Sequence, residues 1–298
     1  MKKLKEKSRK KNMRVYNNFD LTDYNSYRIP AICKIAYFPE TKNDISDIFS
    51  LKNDENKIIL GGGNNIILSK SYYDESFVIF SGNFNHISLD DSGFLCAESG
   101  ASMLELSEFA LDKSLSGLEV FFDIPSSLGG AIVMNAGAGG EDIKDLLSSV
   151  EFYDPTTNSF AQKTKQEMDF SYRNSYFQVN THLIVTEAKL HLRTSDTITI
   201  SNKMTAIRNA RWSKQPKEYP NAGSVFKRPP GKFVGPMIEE LGLKGFQIGG
   251  AKISEKHAGF IINMGDAIGQ DIIDLITHVK EKVLNNFDVD LEVEQRII

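Results

Sequence analysis

Cysteine is scarce in this chain: only Cys33 and Cys96 occur among 298 residues, far apart in sequence. Two isolated cysteines build no disulfide framework and match no metal-ligand spacing. They read as reduced, small, buried residues, which suits a reducing compartment and a cytoplasmic protein. Long apolar runs are missing as well. Nothing approaches the roughly 18 consecutive apolar residues of a membrane-spanning helix, so no membrane insertion is expected. The basic stretch Met1–Arg14 lacks the apolar segment that follows in a signal peptide. Residues 1–13 therefore read as a solvated, disordered tail, with Met13 as an alternative start. No excess of positive charge exists either. A net charge of −4 gives no reason to expect nucleic acid as a partner. Three familiar glycine signatures are also missing: the G-x-G-x-x-G fingerprint, a P-loop lysine and the G-x-S-x-G elbow.

What is present is ordinary globular composition, 41% hydrophobic and 25% charged, in a chain long enough for two or three domains. Short strands are predicted at Ile35–Phe38, Lys57–Leu60, Phe77–Phe80, Phe94–Glu98, Val150–Tyr153 and Ile184–Leu192. A short helix is expected over Asp44–Leu51 with Asn43 or Asp44 as cap, and another from Met103 with Ser102 as cap. Further helices are expected over Ile198–Ser213 and Gly269–Phe287, the second carrying an apolar stripe from Ile272 to Phe287. The chain ends in a β-like segment, Leu291–Ile298.

Five segments could carry chemistry. In Gly61-Gly62-Gly63-Asn64-Asn65, glycines let backbone N–H groups approach a ligand, and successive N–H groups make an anion nest suited to a pyrophosphate. A plain tight turn explains that segment as well. The second, Ile124–Gly140, spends many small residues between apolar ones, with Ser126, Ser127 and Asn135 supplying hydrogen-bonding groups. It suits a flat, polyanionic cofactor lying against main chain, or tight packing of a loop on a sheet. Two such nests, both after strands, favour a dinucleotide cofactor with two phosphates. The third, Phe170–Ser175, sets Arg173 among aromatics, as a fixed desolvated cation or as a surface Arg stacked on Tyr172. In the fourth, Gly223 precedes Ser224 and could hold its hydroxyl rigidly. The fifth, Glu292-Val293-Glu294, puts two carboxylates on one face of a strand if the segment is extended.

Taken together, GGGNNIIL at 61–68, SGLEVFFDIPSSLGGAIVMNAGAGGE at 116–141, FSYRNSYF at 170–177, SKQPKEYPNAGSVFKRPPG at 213–231, GLKGFQIGGAKISEKHAGFIIN at 242–263 and LEVEQRII at 291–298 resemble one family. That family is the UDP-N-acetylenolpyruvoylglucosamine reductases, in their shorter, type II form. The resemblance implies an α+β chain with an FAD-binding domain of the vanillyl-alcohol-oxidase/PCMH type. That domain would span residues 14–193 in two α/β subdomains divided near 76, followed by an α/β substrate domain over 194–298. It further implies non-covalent FAD, NADPH as hydride donor and a UDP-sugar enolpyruvyl ether as substrate, in peptidoglycan precursor synthesis. A monomer is expected, with no metal.

By the same resemblance the catalytic residues would be Arg173, Ser224 and Glu294. Arg173 would stabilise charge on the substrate carboxylate, Ser224 would give the proton to the α-carbon, and Glu294 would be its acid partner. FAD would lie on Gly61, Gly62, Gly63, Asn64, Asn65, Pro125, Ser126, Ser127, Gly129, Gly130, Asn135 and Gly137. Tyr172, Lys214, Lys227 and Arg228 would hold the UDP-sugar. The chain departs from the family in three places: Ile29-Pro30-Ala31, in the stretch that starts at Asn25, lacks a Gly-Gly pair that is common there, Ser126 replaces a usual Gly, and Gln295 a usual Val. An FAD-dependent sugar or alcohol oxidase on the same fold is the competing reading. It would not need Ser224, Glu294 and the basic cluster together, and it often carries His or Cys for covalent flavin. Neither glycine-rich segment here contains one. A non-catalytic protein that kept the fold is a third reading, opposed by the intact Arg173, Ser224 and Glu294 set.

Overall fold

The computed structural model describes residues 13–51 and 56–298. Nearly all of the basic segment read as a tail lies outside the described residues. Strands β1 (Arg14–Asp20), β2 (Ile32–Phe38), β3 (Lys57–Leu60) and β5 (Tyr72–Ile79) form one sheet in the order β1-β2-β5-β3; β4 (Ile66–Ile67) lies apart from it. β1 pairs antiparallel with β2, while β5 runs parallel to both β2 and β3. Helix α1 (Lys42–Ser50) crosses from β2 to β3. Its cap is Thr41, not Asn43 or Asp44: the Thr41 hydroxyl accepts from the Asp44 N–H while the Asp44 carboxylate accepts from the Thr41 N–H. Asp44 is thus the reciprocal partner three residues inside the helix.

The second sheet is antiparallel throughout. It runs from the edge strand Ser159–Thr164 through Leu147–Asp154 and Ile184–Leu190 to β7 (Leu95–Glu98) and β6 (Ile87–Leu89). Helix α2 (Met103–Asp112) packs Met103, Leu106 and Ala110 into its core and begins at Ser102, as expected, with Glu105 closing a capping box. Helix α3 (Leu128–Met134) begins at Ser127. The two sheets meet across Tyr37, Ile45, Val78, Phe80, Phe84, Tyr153 and Ile184.

Two boundaries differ from those read in the sequence. A division near 76 would cut β5, a continuous strand bonded on both sides, so the chain leaves the first sheet only after Ile79. A division at 194 would detach helix Thr197–Lys214 from its packing partners. That helix lies on α2 and on the turn Glu119–Phe121, and its Ile207 packs against the second core. The C-terminal unit therefore starts after Lys214.

That unit contains a small antiparallel sheet (Gln247–Ile248, Ala251–Ile253, Ile261–Asn263) and the helix Gly269–Phe287, whose Ile272, Leu275, Ile276, Val279 and Val283 are buried. It does not have a core of its own. Ile272, Ile276 and Val279 share one apolar cluster with Ile29, Ile67 and Phe77 of the first sheet. Each such side chain contributes roughly 1.5–3 kcal/mol by leaving water, which fixes the C-terminal unit on the first subdomain. The terminal strand Arg296–Ile297 completes the attachment by pairing in parallel with β4. Of the two cysteines, Cys33 is buried with its thiol pushed up to about 11 by desolvation, whereas Cys96 is only half-buried.

Candidate functional site

The two glycine-rich segments come together although the sequence separates them. A side chain added at Gly61 would collide with the Ser127 hydroxyl, and one at Gly63 with the Tyr24 carbonyl. Gly63 also has φ +66°, a conformation that glycine adopts without strain. Asn64 pins the two turns: its amide donates to the Pro125 carbonyl at 3.1 Å and to Gly62, and accepts from the Ser26 hydroxyl at 2.7 Å. The turns open onto a cavity of about 1190 Å³ that also receives Ser99, whose hydroxyl is buried and has no hydrogen-bond partner. A cleft larger than an ordinary small-molecule pocket, walled by bare main chain on two turns and containing an unpaired hydroxyl, fits a dinucleotide.

Gly61, Gly62, Gly63, Asn64, Asn65, Pro125, Ser126, Ser127, Gly129, Gly130 and Gly137 all line this cavity. Asn135 does not. It is fully buried at the end of α3 in left-handed backbone (φ 44°) and spends its amide elsewhere. Its Nδ2 donates to the Ser171 carbonyl at 2.8 Å, and its own carbonyl accepts from Arg173 at 3.2 Å. It holds the Arg173 turn. Ser126 fits without strain, since its hydroxyl turns back onto the Ser127 carbonyl.

Gly63→Ala is expected to lower bound flavin by about 10- to 100-fold in affinity, because strained backbone and a collision with a carbonyl cost on the order of 1–3 kcal/mol. Gly93→Ala, at a positive-φ position with open space around it, is the control for backbone strain alone. Equal flavin content in both purified variants, read from the visible spectrum, would contradict a cofactor role for the Gly61–Asn65 turn.

Arg173 occupies the tip of a tight turn closed by reciprocal bonds between Ser171 and Asn174, at φ 52°. Its side chain is only 18% exposed, and its guanidinium is clamped from three sides: Nε donates to Glu294 at 3.0 Å, and the terminal nitrogens donate to the carbonyls of Asn135 and Gly137. It also lies over the Tyr172 ring, but as a largely shielded cation and not as a surface one. Glu294 arrives from the far end of the chain. Its backbone N–H donates to the Val225 carbonyl, its carbonyl accepts from Asn65, and the strand beyond pairs with β4. Burial lifts the Glu294 carboxyl above its ordinary range, while Arg173 and, farther off, Lys227 pull it back down.

Glu292 and Glu294 differ in exposure and in partner. The chain is not a regular strand there: it bridges Phe226 through Val293 alone, with Glu292 exposed beside Lys227 and Glu294 half-buried against Arg173. Lys227 is thereby drawn to Glu292 at 2.6 Å and is not among the residues lining the cavity, unlike Tyr172, Lys214 and Arg228. Ser224 lines it. Its backbone is bridged to Phe260 next to Gly223, which has φ +81°, so the side chain is presented from a fixed loop.

Several cavity residues were not read from the sequence. Arg211, Lys217 and Lys256 join Lys214 and Arg228 to make the wall basic, and His257, its pKa lowered by burial, lies among them. Asp123 organises part of this wall, accepting from Arg211 at 2.8 Å, Trp212 at 2.7 Å and Lys217 at 3.1 Å. The run Arg211-Trp212-Ser213-Lys214-Gln215-Pro216-Lys217, three cations where a helix ends, was the available signal. Asn25, Ser26 and Arg28 also line the cavity, in the segment where the chain departs from the pattern of the family it resembles.

Residues 33–158 match the family model described as an FAD binding domain. A protein with that domain, two subdomains around a glycine-walled cleft, and a third unit bringing polar and acidic groups to it is an FAD-dependent oxidoreductase. Residues 215–298 match the model for the C-terminal domain of UDP-N-acetylenolpyruvoylglucosamine reductase. The curated reductase of that name from Francisella tularensis is 40% identical over 281 residues, 93% of this chain and 98% of the relative. That of Syntrophomonas wolfei is 41% identical over 96% of this chain and 95% of the relative. A crystal structure of the enzyme from Thermus caldophilus superposes with a TM-score of 0.80 at 29% identity, over 96% of this chain and 98% of that one. The chain belongs to the UDP-N-acetylenolpyruvoylglucosamine reductase family.

Proposed function

We propose that this protein reduces the enolpyruvyl ether of UDP-N-acetylglucosamine to the corresponding lactyl ether, UDP-N-acetylmuramate, at the expense of NADPH, with Arg173, Ser224 and Glu294 as its catalytic residues. The observation that carries the residue assignment is the convergence of a clamped arginine, a half-buried carboxyl and a loop-borne serine on the cleft that fits FAD. Bound FAD supplies the two-electron relay between NADPH and the enolpyruvyl double bond.

Addition of hydride to the β-carbon builds negative charge on the α-carbon and its carboxylate. Arg173 is held by two backbone carbonyls and Glu294, so it is already oriented when that charge develops and costs no reorganisation. Its remaining N–H donors would face the substrate carboxylate. Ser224 would pass its proton to the α-carbon, completing the reduction. Glu294, its pKa raised by burial, would share in this acid chemistry. The basic wall of Arg211, Lys214, Lys217 and Arg228 suits the two phosphates of a UDP-sugar. A cytoplasmic setting and a monomer complete the reading, and the two unpaired thiols agree with a reducing compartment. Among the described residues no helix is long and apolar enough to cross a membrane.

The test is spectroscopic. NADPH should bleach the yellow protein anaerobically, and the UDP-enolpyruvyl substrate should restore the colour. Bleaching without recovery, combined with recovery by oxygen or a free sugar, would favour the oxidase reading instead. The same assay checks Glu294. If its protonated form is needed, reoxidation should slow as pH rises through its raised pKa, and Glu294→Gln should be slow at every pH and lack that limb. A Glu294→Gln profile that keeps the wild-type limb would assign it to another group.

A further inference from the structure

Gln295, one residue past Glu294, is 96% shielded from solvent yet fully engaged in hydrogen bonding. Its Oε1 accepts from the phenol of Tyr27, itself wholly buried, at 2.9 Å. Its Nε2 donates to the carbonyls of Ala222 at 3.1 Å and Gly223 at 3.3 Å, with that of Ser224 at 3.5 Å. The Tyr27 carbonyl in turn accepts from Asn263 Nδ2 at 2.7 Å, and the Asn263 N–H donates to the Pro220 carbonyl. The loop bearing Ser224 is therefore held from beneath at two points, and both supports run to Tyr27. Tyr27 belongs to the segment whose Ser26 N–H bonds to the Gly63 carbonyl and whose Ser26 hydroxyl bonds to Asn64.

We infer that Gln295 and Tyr27 form a positioning couple that sets the Ser224 loop relative to both Glu294 and the cofactor turn. Buried polar groups are retained at a cost unless every partner is met, and here each named donor and acceptor is matched. An apolar side chain at 295 would fill the space but leave the Tyr27 phenol and the loop carbonyls without their partner. Catalytic geometry is steep in distance: a displacement of about 1 Å can cost about 100-fold in rate. The couple acts through Ser224 and touches no ligand itself. In this chain, therefore, residue 295 and the Tyr27 segment belong to the proton-transfer half of the reaction. This inference rests on the proposed role of Ser224.

The experiment separates the two half-reactions by anaerobic stopped flow in wild type, Gln295→Leu, Gln295→Glu and Tyr27→Phe. Gln295→Leu is expected to slow reoxidation by the UDP-enolpyruvyl substrate about 10- to 100-fold. Its substrate Kd and its bleaching by NADPH should stay within about twofold, and its solvent deuterium isotope effect on reoxidation should rise as proton transfer becomes more limiting. Gln295→Glu keeps an acceptor for Tyr27 but loses the amide donor to the loop, so it should slow the same step. Tyr27→Phe should do so less. Equal slowing of both half-reactions, or reoxidation of the Leu and Glu variants at the wild-type rate, would overturn the inference. If Gln295→Leu does not fold, the nearly isosteric Glu variant decides. Failure of wild type to be reoxidised by the substrate would instead overturn the proposed function.

Discussion

Ser224→Ala is expected to leave bleaching of the flavin by NADPH near wild type while slowing reoxidation by the enolpyruvyl substrate by about 10²–10⁴-fold, the usual worth of one positioned proton donor. The substitution removes a single oxygen from an exposed side chain whose backbone is bridged to Phe260 and supported by Gln295, so neither fold nor cofactor site should change. Ser224→Cys should recover part of the rate, because a thiol is also an acid. Solvent deuterium should slow wild type at this step and have less effect on flavin reduction. Reoxidation of Ser224→Ala at close to the wild-type rate would transfer the donor role to Glu294 or to water, while membership of the family would stand.

Arg173→Ala should slow the same half-reaction by several orders of magnitude, for a different reason. The lost guanidinium is a preorganised charge, held within hydrogen-bonding distance of Glu294 and two carbonyls, and its benefit is largest when charge develops on the substrate. Arg173→Lys should recover little, since an ammonium cannot satisfy three partners in fixed planar directions. Substrate affinity should weaken far less than the rate. Removing Arg173 also removes one of the influences holding the Glu294 pKa down, so the acid form of Glu294 should persist to higher pH in the variant. An equal fall in both half-reactions would make Arg173 a structural residue of the Asn135–Gly137 turn.

Local structure was readable where it depends on neighbouring residues alone. The Ser102 cap with Glu105, the helix Gly269–Phe287 and the bounds of helix Thr197–Lys214 follow from capping chemistry and apolar periodicity. The Thr41 cap was misplaced because Asp44 is itself a good cap residue, and only the reciprocal bond shows which role it takes. The unit boundaries were not legible for a tertiary reason. Nothing near position 76 shows that β5 continues unbroken, and nothing near 194 shows which core receives the following helix.

The site divides in the same way. Residue identity and local spacing determined that this chain holds two glycine-rich turns, an arginine between aromatics, a serine after glycine and a carboxylate near its end. Combined in order, those motifs resembled one reductase family. Only tertiary structure decided which of these groups share a cavity and in what state. It set Glu294 half-buried against Arg173 while leaving Glu292 to pair with Lys227, and it engaged Asn135 in support of the Ser171–Arg173 turn. It also matched Gln295 to Tyr27, 268 residues away. The physical reason is that burial and partner distance set a polar side chain's charge state and hydrogen bonds. Both are properties of the packed chain, not of the local sequence.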